Sequence, residues 1–155
     1  MLVAVTVVAG VAPVAQADDN SVYQAWGSQD AEIERWGEKI RATERSRLSR
    51  RKKAARVIRL LDELRETVAE VTTAVKAEQP SSEKGTEAKS LALKTNARFD
   101  GGIVNTRKAL RLFLDGASAG KVDRYLRRGD ALFDEAVAYE KRARRAFKEA
   151  GVQVE

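Results

Sequence analysis

The most chemically suggestive part of the chain is a dense run of basic side chains between residues 41 and 60. This segment holds nine basic residues and one acidic residue, whereas the whole chain carries a net charge of +6. Unpaired charges are costly to bury in an apolar core, so these side chains must face water or an anionic partner. The candidate residues for binding an anion or a partner are Arg41, Arg45, Arg47, Arg50, Arg51, Lys52, Lys53, Arg56 and Arg59.

Catalytic and metal chemistry find little support in the composition. The chain has no histidine and no cysteine, which removes the commonest general base, the usual nitrogen ligand of metals, thiolate nucleophiles and disulfides. Carboxylates recur at helical spacing, as in Asp62/Glu66 and Asp130/Asp134, but di-metal sites in helical bundles normally add Glu-x-x-His motifs. The sequence therefore predicts a non-catalytic protein that acts by binding, without a metal or a cofactor.

Several partners are compatible with the basic segment. The sequence favours an anionic polymer or lipid head group of the cell envelope, or a protein partner, over nucleic acid. A structural or holdase-chaperone-like interaction protein is the second functional class. A face of charges that are only solvated or paired with each other is the alternative without a ligand. The acidic stretch 18–40, with two basic and six acidic residues, could also neutralise the basic segment of a second copy.

The first seventeen residues indicate where the protein works. Residues 1–17 carry no charged side chain, begin with an apolar run and end in an Ala-x-Ala site at Ala17, just before Asp18. This pattern is typical of a cleaved secretory signal peptide, so we predict a secreted, extracytoplasmic mature chain of residues 18–155. An uncleaved anchor and a structural segment are the alternatives. Because the positive n-region is missing, we expect a start upstream of Met1 or a truncated front.

The elements that must hold these side chains are helical. Apolar residues recur at heptad spacing over 22–75, at a spacing near 3.6 over about 82–114, and again at heptad spacing after residue 118. The Gly101-Gly102 pair predicts either a break in the second helix or a close approach of another backbone. Because the connections are short, the sequence predicts an all-α, antiparallel up-down-up bundle of three long helices with coiled-coil-like packing.

The first heptad pattern leaves the number of helices open. Its weak points are Gly27, Gly37 and the polar interval 43–51, and a bend in that interval would give four helices instead of three. Residues 21–50 would then either overhang the bundle or fold back onto it. An overhang would need a partner surface, for which a homodimer is the simplest source. The apolar residues that need covering are Trp26, Ile33, Trp36 and Ile40.

Overall fold

The computed structural model describes residues 18–28 and 30–154, and most of them are helical. The helices are α1 (Asp19–Gly27), α2 (Asp30–Arg45), α3 (Arg50–Ala77), α4 (Glu83–Leu114) and α5 (Ala119–Glu149). No strand is present among these residues, which confirms the prediction of an all-α helical bundle. The predicted signal peptide, residues 1–17, lies outside the described residues. In the described part, no helix combines the length and the apolar character required to cross a membrane.

The first predicted helix bends, as the four-helix alternative requires. The main interruption falls at 46–49, inside the polar interval, and a second one separates α1 from α2 just after Gly27. Ser49 is the N-cap of α3, because its hydroxyl accepts a hydrogen bond from the backbone N–H of Lys52 at 3.4 Å. Helices α1 and α2 fold back along α3. The bundle therefore has four arms, and the first arm consists of α1 followed by α2.

Helices α4 and α5 form the most extensive contact of the bundle. Helix α4 continues through Gly101-Gly102 without a break. Helix α5 approaches α4 closely at this point, where a side chain larger than glycine would not fit. A Cβ atom built on Gly102 would lie 2.6 Å from Cε1 of Phe133, and one on Gly129 would lie 3.2 Å from the carbonyl oxygen of Gly102. The second of the two predicted alternatives is thus confirmed. Gly116, with a φ of 76°, ends α4 and begins the turn into α5.

One of the two buried apolar clusters of the core forms where α1 meets the ends of α3 and α5. Val22, Val75 and Phe147 are fully buried there. Trp26 stacks on the Phe147 ring with 5.8 Å between the ring centroids. The Trp26 indole N–H also donates a hydrogen bond to the side-chain oxygen of Asn96 at 3.3 Å. We call this region, the apolar cluster around Trp26 and Phe147, the closed end of the bundle.

The start of α1 is tied to the connection between α3 and α4. The backbone N–H of Asp18 donates to the carbonyl oxygen of Gln79 at 3.0 Å. The carboxylate of Asp19, only 5% exposed, accepts from the backbone N–H groups of Ser81 and Ser82 at 2.8 and 3.3 Å. Burial raises the pKa of Asp19, but the hydrogen bonds from both serines outweigh it and hold the pKa below its ordinary value. These contacts fix the first arm against the bundle.

Candidate anion-binding site

The nine predicted anion-binding residues lie around the turn between α2 and α3. Arg41 and Arg45 belong to the end of α2, Arg47 lies in the turn, and the other six occupy the first turns of α3. Helix α2 ends here because the Ser46 hydroxyl donates to the carbonyl oxygen of Thr43 at 2.6 Å, which replaces a helical hydrogen bond. Eight of the nine basic residues are exposed.

Two of the nine residues have a structural contact. An Nη atom of Arg51 donates to the carbonyl oxygen of Leu114 at 2.6 Å, and Nζ of Lys53 donates to the carbonyl oxygen of Glu44. Both acceptors lie at the C-terminal end of a helix, where carbonyl groups lack a helical partner and favour cations. Arg51 and Lys53 therefore stabilise the ends of α4 and α2 and are less available to an external anion.

The other seven residues make no hydrogen bond or ion pair with any residue that the structure describes. Elsewhere in the bundle, basic side chains do find carboxylates, as in the pairs Arg65–Asp100 at 2.7 Å and Arg98–Glu135 at 2.8 Å. Seven cations of 41–60 therefore differ from these pairs, because they have no carboxylate partner among the described residues. They are Arg41, Arg45, Arg47, Arg50, Lys52, Arg56 and Arg59.

Folding brings a second basic segment to the same end of the bundle. Residues 104–128 contain seven basic and two acidic residues and surround the turn between α4 and α5. The hydrogen bond from Arg51 to Leu114 joins this turn to the start of α3. The basic residues of this segment are Arg107, Lys108, Arg111, Lys121, Arg124, Arg127 and Arg128. We call 41–60 and 104–128 together the basic end.

The sequence interpretation missed this second segment because it treated the charge surplus as one local run. The signal that could have found it is topological. In an antiparallel bundle with short connections, alternate turns lie at the same end, so the turn at 115–118 must lie near the one at 46–49.

Tyr125 lies among several cations of the basic end. Nζ of Lys108 lies 4.4 Å from the centroid of its ring, and the guanidinium of Arg128 lies 5.5 Å away. A hydrogen bond from Lys108, together with the positive charges of Lys108, Arg128 and Lys121, lowers the pKa of the Tyr125 hydroxyl. These three cations thus favour the ionised form of Tyr125.

The two ends of the molecule differ in charge. The basic end holds sixteen basic and three acidic residues, whereas the rest of the chain holds thirteen basic and twenty acidic residues. A polarised charge distribution of this size steers anionic partners toward one end of a protein.

No protein-family model, curated protein or solved structure matches the chain. Its function is therefore inferred from the chemistry of its own residues.

The four apolar residues predicted to need a partner surface are covered to different degrees. Trp26 and Trp36 are buried, at 7% and 9% exposure, in the core of their own chain. Ile33 and Ile40 are half-buried and line an apolar cavity beneath α2. Because residues 21–50 fold back, no second copy is needed to bury the two indoles, and a homodimer stays a prediction.

The carboxylates at helical spacing serve other contacts or face solvent. Asp62 pairs with Arg107 across α3 and α4, and Asp134 is exposed. Among the described residues, no group of three or more acidic side chains is placed to hold a metal ion.

Proposed function

We propose that the mature chain is a secreted, non-catalytic binding protein whose basic end binds an anionic polymer or an anionic lipid surface of the cell envelope. The observation that carries this proposal is the meeting of two basic segments, distant in sequence, at one end of the bundle. Seven cations of the first segment, 41–60, lie there and form no ion pair with a carboxylate of any described residue. Both candidate partners present closely spaced anionic groups with bound counterions. A cationic protein surface that binds these groups displaces the counterions, and their release favours binding.

The test compares two variants with the same change in net charge. Each replaces four exposed basic residues by glutamine. The basic-end variant carries Arg47→Gln, Arg50→Gln, Lys52→Gln and Arg56→Gln. The matched control carries Lys76→Gln, Lys141→Gln, Arg145→Gln and Lys148→Gln, which lie outside the basic end. Arg51 and Lys53 are retained in both variants, because they stabilise helix ends.

Binding would be measured to soluble polyphosphate, to phosphatidylglycerol vesicles and to phosphatidylcholine vesicles over a range of salt concentrations. We expect the basic-end variant to bind polyphosphate or phosphatidylglycerol at least about tenfold more weakly than the parent. The slope of log affinity against log salt should become shallower by roughly three, since four anion contacts are lost. Polyphosphate and vesicles distinguish a polymer from a lipid surface as the partner.

The control variant should retain most of the parent's affinity, because its cations lie away from the basic end. Equal losses in the two variants would show that only net charge matters, and would contradict a site at the basic end. Tighter binding to duplex DNA than to either envelope probe at the same salt would contradict the envelope assignment.

The second functional class, a holdase-like protein, finds less support. Such a protein needs an apolar surface for its clients. Within the described residues, the large apolar side chains that are exposed are Leu48, Val104 and Val137, each on a different element. Suppression of a client's aggregation by the parent and equally by the basic-end variant would favour this class instead.

A further inference from the structure

A mostly apolar cavity of about 870 Å³, open to solvent, lies where the basic end meets the middle of the bundle. It is bordered by α2 on one side, by α3, and by α4 and α5 on the other side. Among the nineteen described residues that line it, twelve are apolar, and Thr106 is the one uncharged polar side chain. Apolar residues that represent the four walls are Ile33, Ile40, Leu61, Leu110, Leu126 and Phe133.

The cavity exists because α2 packs mainly against α3 and stands away from the α4–α5 pair. Ile33 and Ile40, which point from α2 toward the interior, therefore remain half-buried. A volume of this size matches the cavities in which proteins hold small ligands, which are mostly apolar with a few polar groups.

The charged groups of the cavity come from α2 and the first turns of α3, and all of them except Glu34 belong to the basic end. Arg41, Arg50 and Lys53 line it together with Glu34 and Glu44. Lys53 is engaged by the backbone of Glu44, whereas Arg41 and Arg50 make no polar contact with a described residue. The guanidinium of Arg41 lies against Gly37, so it reaches back along α2 over the cavity wall. Two free guanidinium groups beside an apolar interior suit a ligand with one anionic head and one apolar chain.

We propose that the cavity binds the acyl chain of a fatty acid of about twelve carbons, with the carboxylate held by Arg41 and Arg50. The proposal rests on the proposed function in one respect, since it names a ligand for the same basic end. It goes further in placing part of that ligand inside the bundle. The apolar walls bind the chain, and each methylene moved from water into them raises affinity about fourfold.

The first test is calorimetric titration of the purified protein with ligands below their micelle concentrations. Laurate is the reference probe. Octanoate has the same head and four fewer methylenes, so we expect its affinity to be lower on the order of a hundredfold. Dodecyltrimethylammonium has a similar chain and a cationic head, and we expect it to bind at least about tenfold more weakly than laurate. Absence of laurate binding, or equal binding of octanoate and laurate, would overturn the proposal.

The second test fills the cavity. Ala54 is buried and lines the cavity on α3, and Gly37 lines it on α2. Ala54→Leu and Gly37→Leu each add a side chain to that space, and the glycine replacement also favours the helix. We expect each variant to bind laurate at least about tenfold more weakly than the parent. Having two variants on different helices protects the test against one that fails to fold, as judged by circular dichroism.

The two proposals fail in different ways. Retained polyphosphate binding with no laurate binding would overturn the fatty-acid site and leave the proposed function standing. Laurate binding that survives the cavity-filling variants would place the ligand elsewhere and overturn this inference. A dimer in sedimentation that Gly37→Leu disperses would assign the cavity to a second copy and would also overturn it. Laurate binding without polyphosphate or vesicle binding would sustain the cavity and contradict the proposed function.

Discussion

The closed end and the basic end of the bundle share the helices α3, α4 and α5 but differ in packing and in charge. At the closed end, α1 fills the space between α3, α4 and α5, and Phe147 is fully buried beneath Trp26. At the basic end, α2 stands off and leaves a cavity, and seven cations of 41–60 form no ion pair with a described residue. The first arrangement maximises apolar contact, and the second leaves both apolar surface and positive charge unsatisfied.

In the proposed function, binding is assigned to the end of the bundle opposite the buried cluster around Trp26 and Phe147. A well-packed, hydrogen-bonded end can hold the four arms in register while the other end keeps features that weaken a fold. Like charges held close together reduce stability. Their concentration at the basic end is the observation on which the proposed function rests.

The largest contrast should appear between a phenylalanine of the closed end and one that borders the cavity. Phe147→Ala deletes a fully buried ring that contacts both Trp26 and Tyr23, and we expect the free energy of unfolding to fall by about 3–5 kcal/mol. Phe133 is half-buried and borders the cavity. Phe133→Ala should lower the free energy of unfolding by less, because its ring, although it contacts Gly102 and Phe99, is only half-buried.

Urea unfolding followed by circular dichroism gives both values under the same conditions. Equal losses for the two variants would break the comparison, because they would show that the border of the cavity is packed as tightly as the closed end.

Much of this architecture was accessible from the sequence. The helical periodicity over 22–75, about 82–114 and after residue 118 was predicted from local rules, and the structure confirms it. The bend within 43–51 was left as the four-helix alternative to three long helices, and the structure shows that bend. These features depend on side-chain periodicity and on turn residues, which act over a few positions. The close approach of α5 at Gly102 was left as one of two alternatives, since it depends on a partner helix.

The composition of the site was less accessible. The exposed cations of 41–60 follow from charge alone, but two of them, Arg51 and Lys53, bind carbonyl groups at helix ends. No local pattern identifies a cap donated from another helix. The cavity was not predicted either, because heptad positions such as Ile40 indicate which face turns inward and not whether the space is filled.

An intermediate effect is expected from the buried carboxylate of the closed end. Asp19→Asn keeps a side-chain oxygen for the N–H groups of Ser81 and Ser82 but removes the charge. Hydrogen bonds to charged groups are stronger than those to neutral ones, so we expect the free energy of unfolding at neutral pH to fall by about 1 kcal/mol. The exposed Asp134 is the control, and Asp134→Asn should change it little.

The pH dependence sharpens this test. Because the pKa of Asp19 is lowered in the folded state, its contribution to stability is fully present above the ordinary value of 3.8 and is lost as pH falls through the lower folded value. Unfolding curves of the parent and of Asp19→Asn should therefore converge in acid. A difference between them that stays constant over this range would argue against a stabilising charge at Asp19.

The smallest effect should have the opposite sign and should appear at the basic end. Lys52 is three residues after the N-cap Ser49, and the first turn of α3 contains no acidic residue. Glutamate at that position would complete a capping box and complement the helix dipole. We expect Lys52→Glu to raise the free energy of unfolding by about 0.5–1 kcal/mol at low salt, with a smaller gain at high salt.

The same change at the closed end is the control for this last prediction. Lys84 in the first turn of α4 pairs with Glu87 and Glu149 at 3.0 and 2.9 Å, so Lys84→Glu should lower stability. Lys52→Glu should also weaken binding to polyphosphate, because it removes a cation that forms no ion pair with any described residue. A gain in stability with a loss of binding would show that α3 keeps a lysine where stability alone favours glutamate. A loss of stability would mean that the cations of the basic end support the fold.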